Sequence, residues 1–504
     1  MFETYRNFFA KNHSTRAVTA GFPEGGRRLA EGGWHRWRAV VDTGCYRVAA
    51  MTRGLRAWTC LWTAAALLGA GRQARANGAF PDSLGILLRQ TKPDQIILAT
   101  NFGLVTTDDG GKTWLWSCEQ AASFNGTLYQ LGPAPAERIF AVGQFGLIFT
   151  DDDSCTWTIS GGSLSNLLAR DAFVDPINQG RVWAIASPVG AASGATGVYR
   201  SDDSGMTFGP SLFDYKLSGG LLSIESARSD PDVVYVASFE NRVCAGGDGG
   251  DAGDGDGDAD GDAGAPMLCP VPRLMRSGDA GANWDDPLDL EPDLGQGMIR
   301  IIAIDPDQPR RVFLRFQPAD ASGDRLLISD DAGATIREAV RVKGQLTAFL
   351  RRADGTILVA GMNANAPEGF RSPDDGATFV PWNEAPTLRA LAERDGRIYG
   401  AADFIKDGFA IGVSTDGGAT FSPLMNFSQV HGIRPCVKEA CLTTCEFNAG
   451  IMLWPPETCD PPPAGKTGCG CVAGREGATL GGLLVAAVMS LAVFARRARR
   501  RAGS

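Results

Sequence analysis

The sequence predicts an all-β protein of seven repeated units, each of about four short strands, and three observations predict it. An octapeptide of the form Ser/Thr-x-Asp-x-Gly-x-Thr-aromatic recurs seven times. The copies start at residues 107, 150, 201, 277, 329, 372 and 414, a spacing close to one supersecondary unit except for one longer interval. Between copies lie short apolar runs bounded by Gly, Pro and Asp, the pattern of strands and tight turns. The hydrophobic fraction of 44% supplies a core and excludes wholesale disorder, while 64 Gly suit a chain with many turns.

The copies read TDDGGKTW, TDDDSCTW, SDDSGMTF, SGDAGANW, SDDAGATI, SPDDGATF and STDGGATF, with lapses at Ser154, Asn283 and Ile336. The chemistry of each is that of a β-hairpin turn. The Asp carboxylate accepts backbone N–H groups of its own turn, the Gly supplies a positive φ at no steric cost, and the aromatic residue starts the returning strand. Asp109, Asp152, Asp203, Asp279, Asp331, Asp374 and Asp416 are therefore expected to be structural rather than catalytic.

Upstream of each copy the grammar repeats. Residues 95–100 then 103–107 precede the first copy, and 138–142 then 146–150 precede the second. Residues 181–186, 233–238, 312–316, 357–360 and 397–401 take the earlier role in the other five units. Asp175-Pro176, Asp230-Pro231 and Asp305-Pro306 mark turns before three of these strands. Four strands per unit at this period make one propeller blade, so the expected fold is a seven-bladed β-propeller over residues 77–430. The octapeptide resembles the Asp box, or BNR repeat, of sialidases and sortilin-type receptors. That resemblance implies the same ring, with the boxes on its outer rim.

The long interval between copies three and four holds a Gly/Asp run, residues 245–268, that has too little apolar surface to fold. Asp256, Asp258 and Asp260, followed by Gly261, match the start of a calcium loop, but position twelve is Met267, so the bidentate carboxylate is missing. The run reads as a solvated acidic loop stapled at its base by Cys244 and Cys269; no cofactor is expected, with calcium the one candidate ion. The other cysteines suit an oxidising compartment. A bridge between Cys118 and Cys155 is plausible on neighbouring blades. Cys436, Cys441, Cys445 and Cys459 are expected to form two bridges within a small cap, residues 431–463, with three pairings open. With only three His and no matched Cys-x-x-Cys pairs, zinc is disfavoured.

Both ends carry targeting signals. Residues 51–76 have a basic start (Arg53, Arg56), a short apolar stretch and Ala74-Arg75-Ala76, as in a signal peptide cleaved between Ala76 and Asn77. Residues 1–50 are Arg-rich and patternless and read as an upstream extension, with Met51 as the expected start. Residues 478–495 are uncharged and about the minimum length of a membrane helix, and an Arg cluster at 496–501 follows. Before them stand a Pro-rich spacer at 461–463 and Gly468, Cys469, Gly470 and Cys471. The order Gly-Cys-x-Cys, apolar helix, Arg cluster over residues 464–504 resembles the myxobacterial sorting tail MYXO-CTERM. That resemblance implies a processing enzyme as partner and a cysteine, Cys469, as the attachment point at the membrane.

Net charge is −9, and the basic residues concentrate at the two ends, which leaves an acidic middle. Nucleic acid is therefore excluded as a partner, since phosphate binding needs a basic stripe. Two function classes remain: a non-catalytic surface propeller that binds a protein or glycan, and a glycoside hydrolase. The sialidase pattern of Arg-Ile-Pro near the first blade is absent, and Ile433-Arg434-Pro435 has another order and place. Tyr129, Tyr199, Tyr215, Tyr235 and Tyr399 show no context for an activated nucleophile. The expectation is a binding propeller without catalytic residues.

Overall fold

The computed structural model describes residues 81–460 apart from 123–125, 144–145, 190–195, 245–266 and 365, together with the side chains of all of these but 126 and 127. The expected signal peptide with Ala76 and Asn77, the run carrying Asp256, Asp258 and Asp260, and the expected sorting tail with Gly468, Cys469 and Cys471 lie outside the described residues. Among the described residues no helix is long and apolar enough to cross a membrane.

Among the described residues seven blades of four antiparallel strands follow one another along the chain, the first extended by a fifth strand from the end of the chain. Their first strands are Ser83–Leu87, Gly126–Leu131, Leu167–Val174, Gly219–Ser226, Gly297–Ile304, Gln345–Arg351 and Leu388–Arg394. First strands of neighbouring blades touch one another at six of the seven joins, that of the last with the first among them, so these strands form the inner wall of a closed ring. Second and third strands such as Ile96–Thr100, Gly103–Thr107, Ile139–Gly143 and Gly146–Thr150 are buried along their whole length. A blade is covered on both faces by its neighbours, which is why these segments read as continuous apolar runs rather than alternating ones. The core is accordingly divided into clusters between blades; one holds Trp183, Ile185, Tyr215 and Val234, another Phe313, Ile328, Val340 and Ile357.

The exposed outer edges are short. In blades two, three, four and six the fourth strand has only two residues: Thr158–Ile159, Phe213–Asp214, Leu288–Asp289 and Val380–Pro381. Such edges offer little template for pairing with another chain. Blade one has a longer fourth strand, Leu115–Cys118, and covers it with the chain's own Gly432–Ile433, paired in parallel.

That pairing belongs to a strap which closes the ring. After blade seven the chain crosses to blade one, adds Gly432–Ile433, and continues into the helix Lys438–Gly450. The helix buries Cys441, Cys445 and Asn448. Under the strap, Phe102, Trp116, Phe404, Phe427 and Trp454 form one aromatic cluster, with centroids 4.9 Å apart for Phe404 and Phe427 and 5.0 Å for Trp116 and Trp454. Offset and edge contacts at these separations stabilise beyond area burial alone.

The disulfides correct two expectations. Cys118 bonds Cys441 and Cys155 bonds Cys436, so the Cys118–Cys155 bridge does not form. The cap holds one internal bridge, Cys445–Cys459, rather than two. The reason is the strap: it passes along the edge of blade one toward blade two, bringing each of its first two cysteines against a blade cysteine. Cys244 is bonded to Cys269 at the base of the acidic insertion.

Candidate functional site

Each box is built the same way. The Ser or Thr at its start donates to the Asp at 2.7–3.0 Å. The same hydroxyl accepts the N–H of the fifth residue at 2.7–3.2 Å. The Asp accepts the N–H of the seventh residue at 2.8–2.9 Å. Where Asn283 replaces Thr, its amide donates to Asp279 at 2.6 Å, as the Thr hydroxyls do elsewhere. These donors hold the carboxyls below their usual range. The Thr113 N–H brings Asp109 to about 2, and the Thr378 and Thr420 hydroxyls bring Asp374 and Asp416 to about 2. Asp152 and Asp203 are lowered too, because the Thr156 and Thr207 donors outweigh the desolvation that opposes them. Asp279, held by Asn283, and Asp331, held by Thr335, shift the same way. All seven carboxylates are engaged by their own turns.

The turns also join blade to blade, which the octapeptide alone does not disclose. Each box has two consecutive positive-φ residues, for example Ser204 (61°) and Gly205 (80°). The second sits against the preceding blade: a Cβ on Gly205 would lie 2.4 Å from Phe140, and one on Gly333 2.5 Å from Leu274. Ser154, the lapse in box two, keeps a left-handed φ of 74° because its neighbour is the small Ser117, which its hydroxyl reaches at 2.9 Å. Arginines of the preceding blade then cap the turn carbonyls. Arg200 donates to Ala280 at 2.9 Å, and Arg138 and Arg311 do the same for Ser204 and Asp375.

Two of the Asp-Pro turns are further anchors. Asp175 and Asp305 are fully buried, and each accepts two N–H groups of its own turn. Asp175 pairs with Arg181 at 2.7 Å, and Asp305 with Arg351 at 3.1 Å. The third, at Asp230, is exposed.

Inner-strand edges have no ladder partner for their backbone, and side chains of adjacent blades meet them. Asp171 accepts the Ile224 N–H at 3.0 Å and Ser223 the Ile301 N–H at 2.9 Å. Asp324 accepts the Leu346 N–H at 2.8 Å, and Thr347 donates to the Leu388 carbonyl at 2.7 Å. Glu225 belongs to this series through the Ile304 N–H; burial, with repulsion from Asp171, pushes its carboxyl up to about 8. Glu119, beside the strap, is pushed up to about 7 by burial. Burial also raises the phenols of Tyr129, Tyr199, Tyr215 and Tyr235, the direction opposite to an activated nucleophile.

Antiparallel order divides the loops between two ends of the ring. The boxes share one end with the turns between first and second strands. The blade-to-blade connections and the loops between second and third strands occupy the other, where the described ends of the acidic insertion, Cys244 and Met267, also lie. At its base the second and third strands of blade four run long, Val234–Val243 paired with Leu268–Ser277. Arg242 there meets Glu240 at 3.0 Å, Asp289 at 3.1 Å and Glu291 at 2.9 Å, and Arg273 meets Asp289 at 3.0 Å. No group of three or more acidic, His or Cys side chains suited to a metal occurs among the described residues. A cleft of about 50 Å³ beside Arg138, Phe140 and Ser204 is too small for an organic ligand.

No family model and no curated protein matches the chain. Among solved structures it is similar to YCF48 from Cyanidioschyzon merolae, at 12% identity over 64% of this chain and 92% of that one, with a TM-score of 0.40. It is similar to a PL25 ulvan lyase bound to a sulfated disaccharide unit, at 11% identity over 67% and 92%, TM-score 0.41. It is also similar to the Hadza microbial sialidase Hz136, at 16% identity over 57% and 66%, TM-score 0.34. These likenesses carry no argument about what this chain binds or does.

Proposed function

We propose that this chain is an exported, non-catalytic binding propeller held at a bacterial cell surface by its C-terminal tail. It contacts a protein or glycan through the loop end opposite the boxes. The observation that carries the reading is that all seven box carboxylates and the two buried Asp-Pro carboxylates are engaged by their own turns. The opposite end, which holds the Cys244–Cys269 base of the insertion, is left for recognition, and loops on a rigid frame are where recognition concentrates. Four disulfides suit an oxidising exterior.

Export and anchoring rest on the sequence of residues 51–76 and 464–504. Mass spectrometry of surface-fraction protein tests them. A chain starting at Asn77, lacking residues 496–501 and carrying extra mass on Cys469 is the expected result. Retention of Arg53 and Arg56 overturns the cleavage, and an intact Arg cluster with an unmodified Cys469 overturns the processed tail.

One observation favours a second reading, a glycoside hydrolase. Glu225, pushed up to about 8, is protonated at neutral pH as a general acid must be, and Asp171 is a neighbouring carboxyl that helps to raise it. The same two carboxyls hold inner-strand N–H groups, which accounts for them without catalysis.

A further inference from the structure

The four bonds among the described cysteines differ in what covers them. Cys118–Cys441 and Cys445–Cys459 are sealed, their residues being 3%, 0%, 0% and 4% exposed in that order. Cys155–Cys436 lies at the surface, with Cys436 exposed and Cys155 half-buried. Local structure accounts for both. Cys155 is the sixth residue of box two, and the sixth residue of every other box (Lys112, Met206, Ala282, Ala334, Ala377 and Ala419) is exposed at its turn. Cys436 stands in the short turn Pro435–Val437, which buries Val437 alone. The fourth bond, Cys244–Cys269, joins two half-buried residues, but the strands that carry it are paired up to Val243 and Leu268 in any case.

We propose that Cys155–Cys436 is a thiol-exchange site, a latch between strap and blade two that an external dithiol opens while the ring stays closed. Exchange needs access to the sulfur under attack, and an exposed bond among buried ones is the labile member of the set. A thiolate of the dithiol attacks the Cys436 sulfur, the S–S bond breaks, and Cys155 leaves as a thiolate that takes a proton from water. The second thiol of the reductant then attacks the mixed disulfide and frees Cys436. The bridge has gained two electrons and two protons, and the dithiol ends as a disulfide. What opens is confined to a short segment. Gly432–Ile433 stays paired with Leu115–Trp116, Arg434 still donates to the Trp116 carbonyl at 2.8 Å, and Cys441 stays bonded to Cys118. Residues 435–440, between those fixed points, are the part released from box two.

Graded dithiothreitol tests it, acting on the oxidised full chain without denaturant, with N-ethylmaleimide as quench and peptide mass spectrometry as readout. The expected result is alkylation of Cys155 and Cys436 at least about tenfold faster than of Cys118, Cys441, Cys445 and Cys459. With glutathione, a monothiol, the first adduct should sit on Cys436 and the first alkylated thiol should be Cys155. Hydrogen exchange in the partly reduced protein should speed up in residues 435–440 and stay unchanged in Leu115–Cys118. Cys155→Ser with Cys436→Ser should show that same exchange pattern with no reductant present. Opening of all the bonds together, or of Cys118–Cys441 first, overturns the proposal, as does a Cys155–Cys436 bond that stays closed until denaturant is added. Unchanged exchange in residues 435–440 after selective opening overturns the latch, and a first adduct on Cys155 overturns the step as written.

Discussion

Replacing Cys118 and Cys441 together by Ser opens one of the two bonds that fasten the strap to the ring. The bond joins residues 323 apart in sequence, and its partner Cys155–Cys436 joins residues 281 apart. These loops are not independent. While Cys155–Cys436 persists, the Cys118–Cys441 bond closes only the path through 118–155 and 436–441, about 40 residues, which in the chain-entropy treatment is worth about 4 kcal/mol. Once one bond is gone, the other closes the full ring, and its loss costs about 5.5 kcal/mol. Either paired replacement should therefore leave a folded protein of reduced stability. Removing both pairs should cost well over twice as much, a loss comparable with the whole stability of an ordinary domain. Equilibrium denaturation of the oxidised protein, followed by tryptophan fluorescence, reads all three. Single replacements as damaging as the double would refute the shared-loop reasoning. No effect from the double would place ring closure in the Gly432–Ile433 pairing and the aromatic cluster instead.

Other outcomes follow from the boxes and the buried carboxyls. Gly205→Ala puts a Cβ on a left-handed residue and against Phe140, so it should destabilise by about 2–4 kcal/mol in denaturant titration, whereas Ala280→Gly, where the chain already bears a left-handed side chain, should not destabilise. Asp331→Ala should lower the melting temperature and leave ligand affinity in the folded fraction unchanged; lost affinity at unchanged stability would move the boxes from frame to site. The box carboxyls near 2 contribute stability that is full above the unfolded Asp value and lost as pH falls from about 4 to 2, so acid unfolding should fall in that window. Glu225 has the opposite sign: its folded value near 8 exceeds the unfolded one, so its contribution is present below about pH 4.5 and lost as pH rises through 8. Glu225→Gln should thus stabilise by up to roughly 5 kcal/mol above pH 8 and do little at pH 4.5, measured as melting temperature against pH.

Much of the frame was legible because its signals are local. A box is eight contiguous residues whose hydrogen bonds close on themselves, so Ser201, Asp203, Gly205 and Thr207 disclose their geometry in sequence. What the octapeptide withholds is which blade lies beside it. Gly205 is required because of Phe140, Ser154 is tolerated because of Ser117, and Arg138, Arg200 and Arg311 reach the next box from outside any octapeptide. The cysteines show the same limit. Cys244 and Cys269 bracket one insertion and their nearness can be read, whereas Cys118 and Cys441 meet only because the strap returns across the closed ring. Glu225 was passed over for a related reason, since its shift comes from burial between blades and from Asp171, 54 residues earlier.

The central claim, binding without bond cleavage, is tested most directly by incubating the oxidised full chain with glycans and envelope proteins from its own surface and reading retention and product release in the same samples. The account predicts saturable retention of a ligand that is recovered intact, with Glu225→Gln leaving both readings unchanged. Release of new reducing ends or shortened glycan that disappears with Glu225→Gln would contradict it and make the propeller a hydrolase.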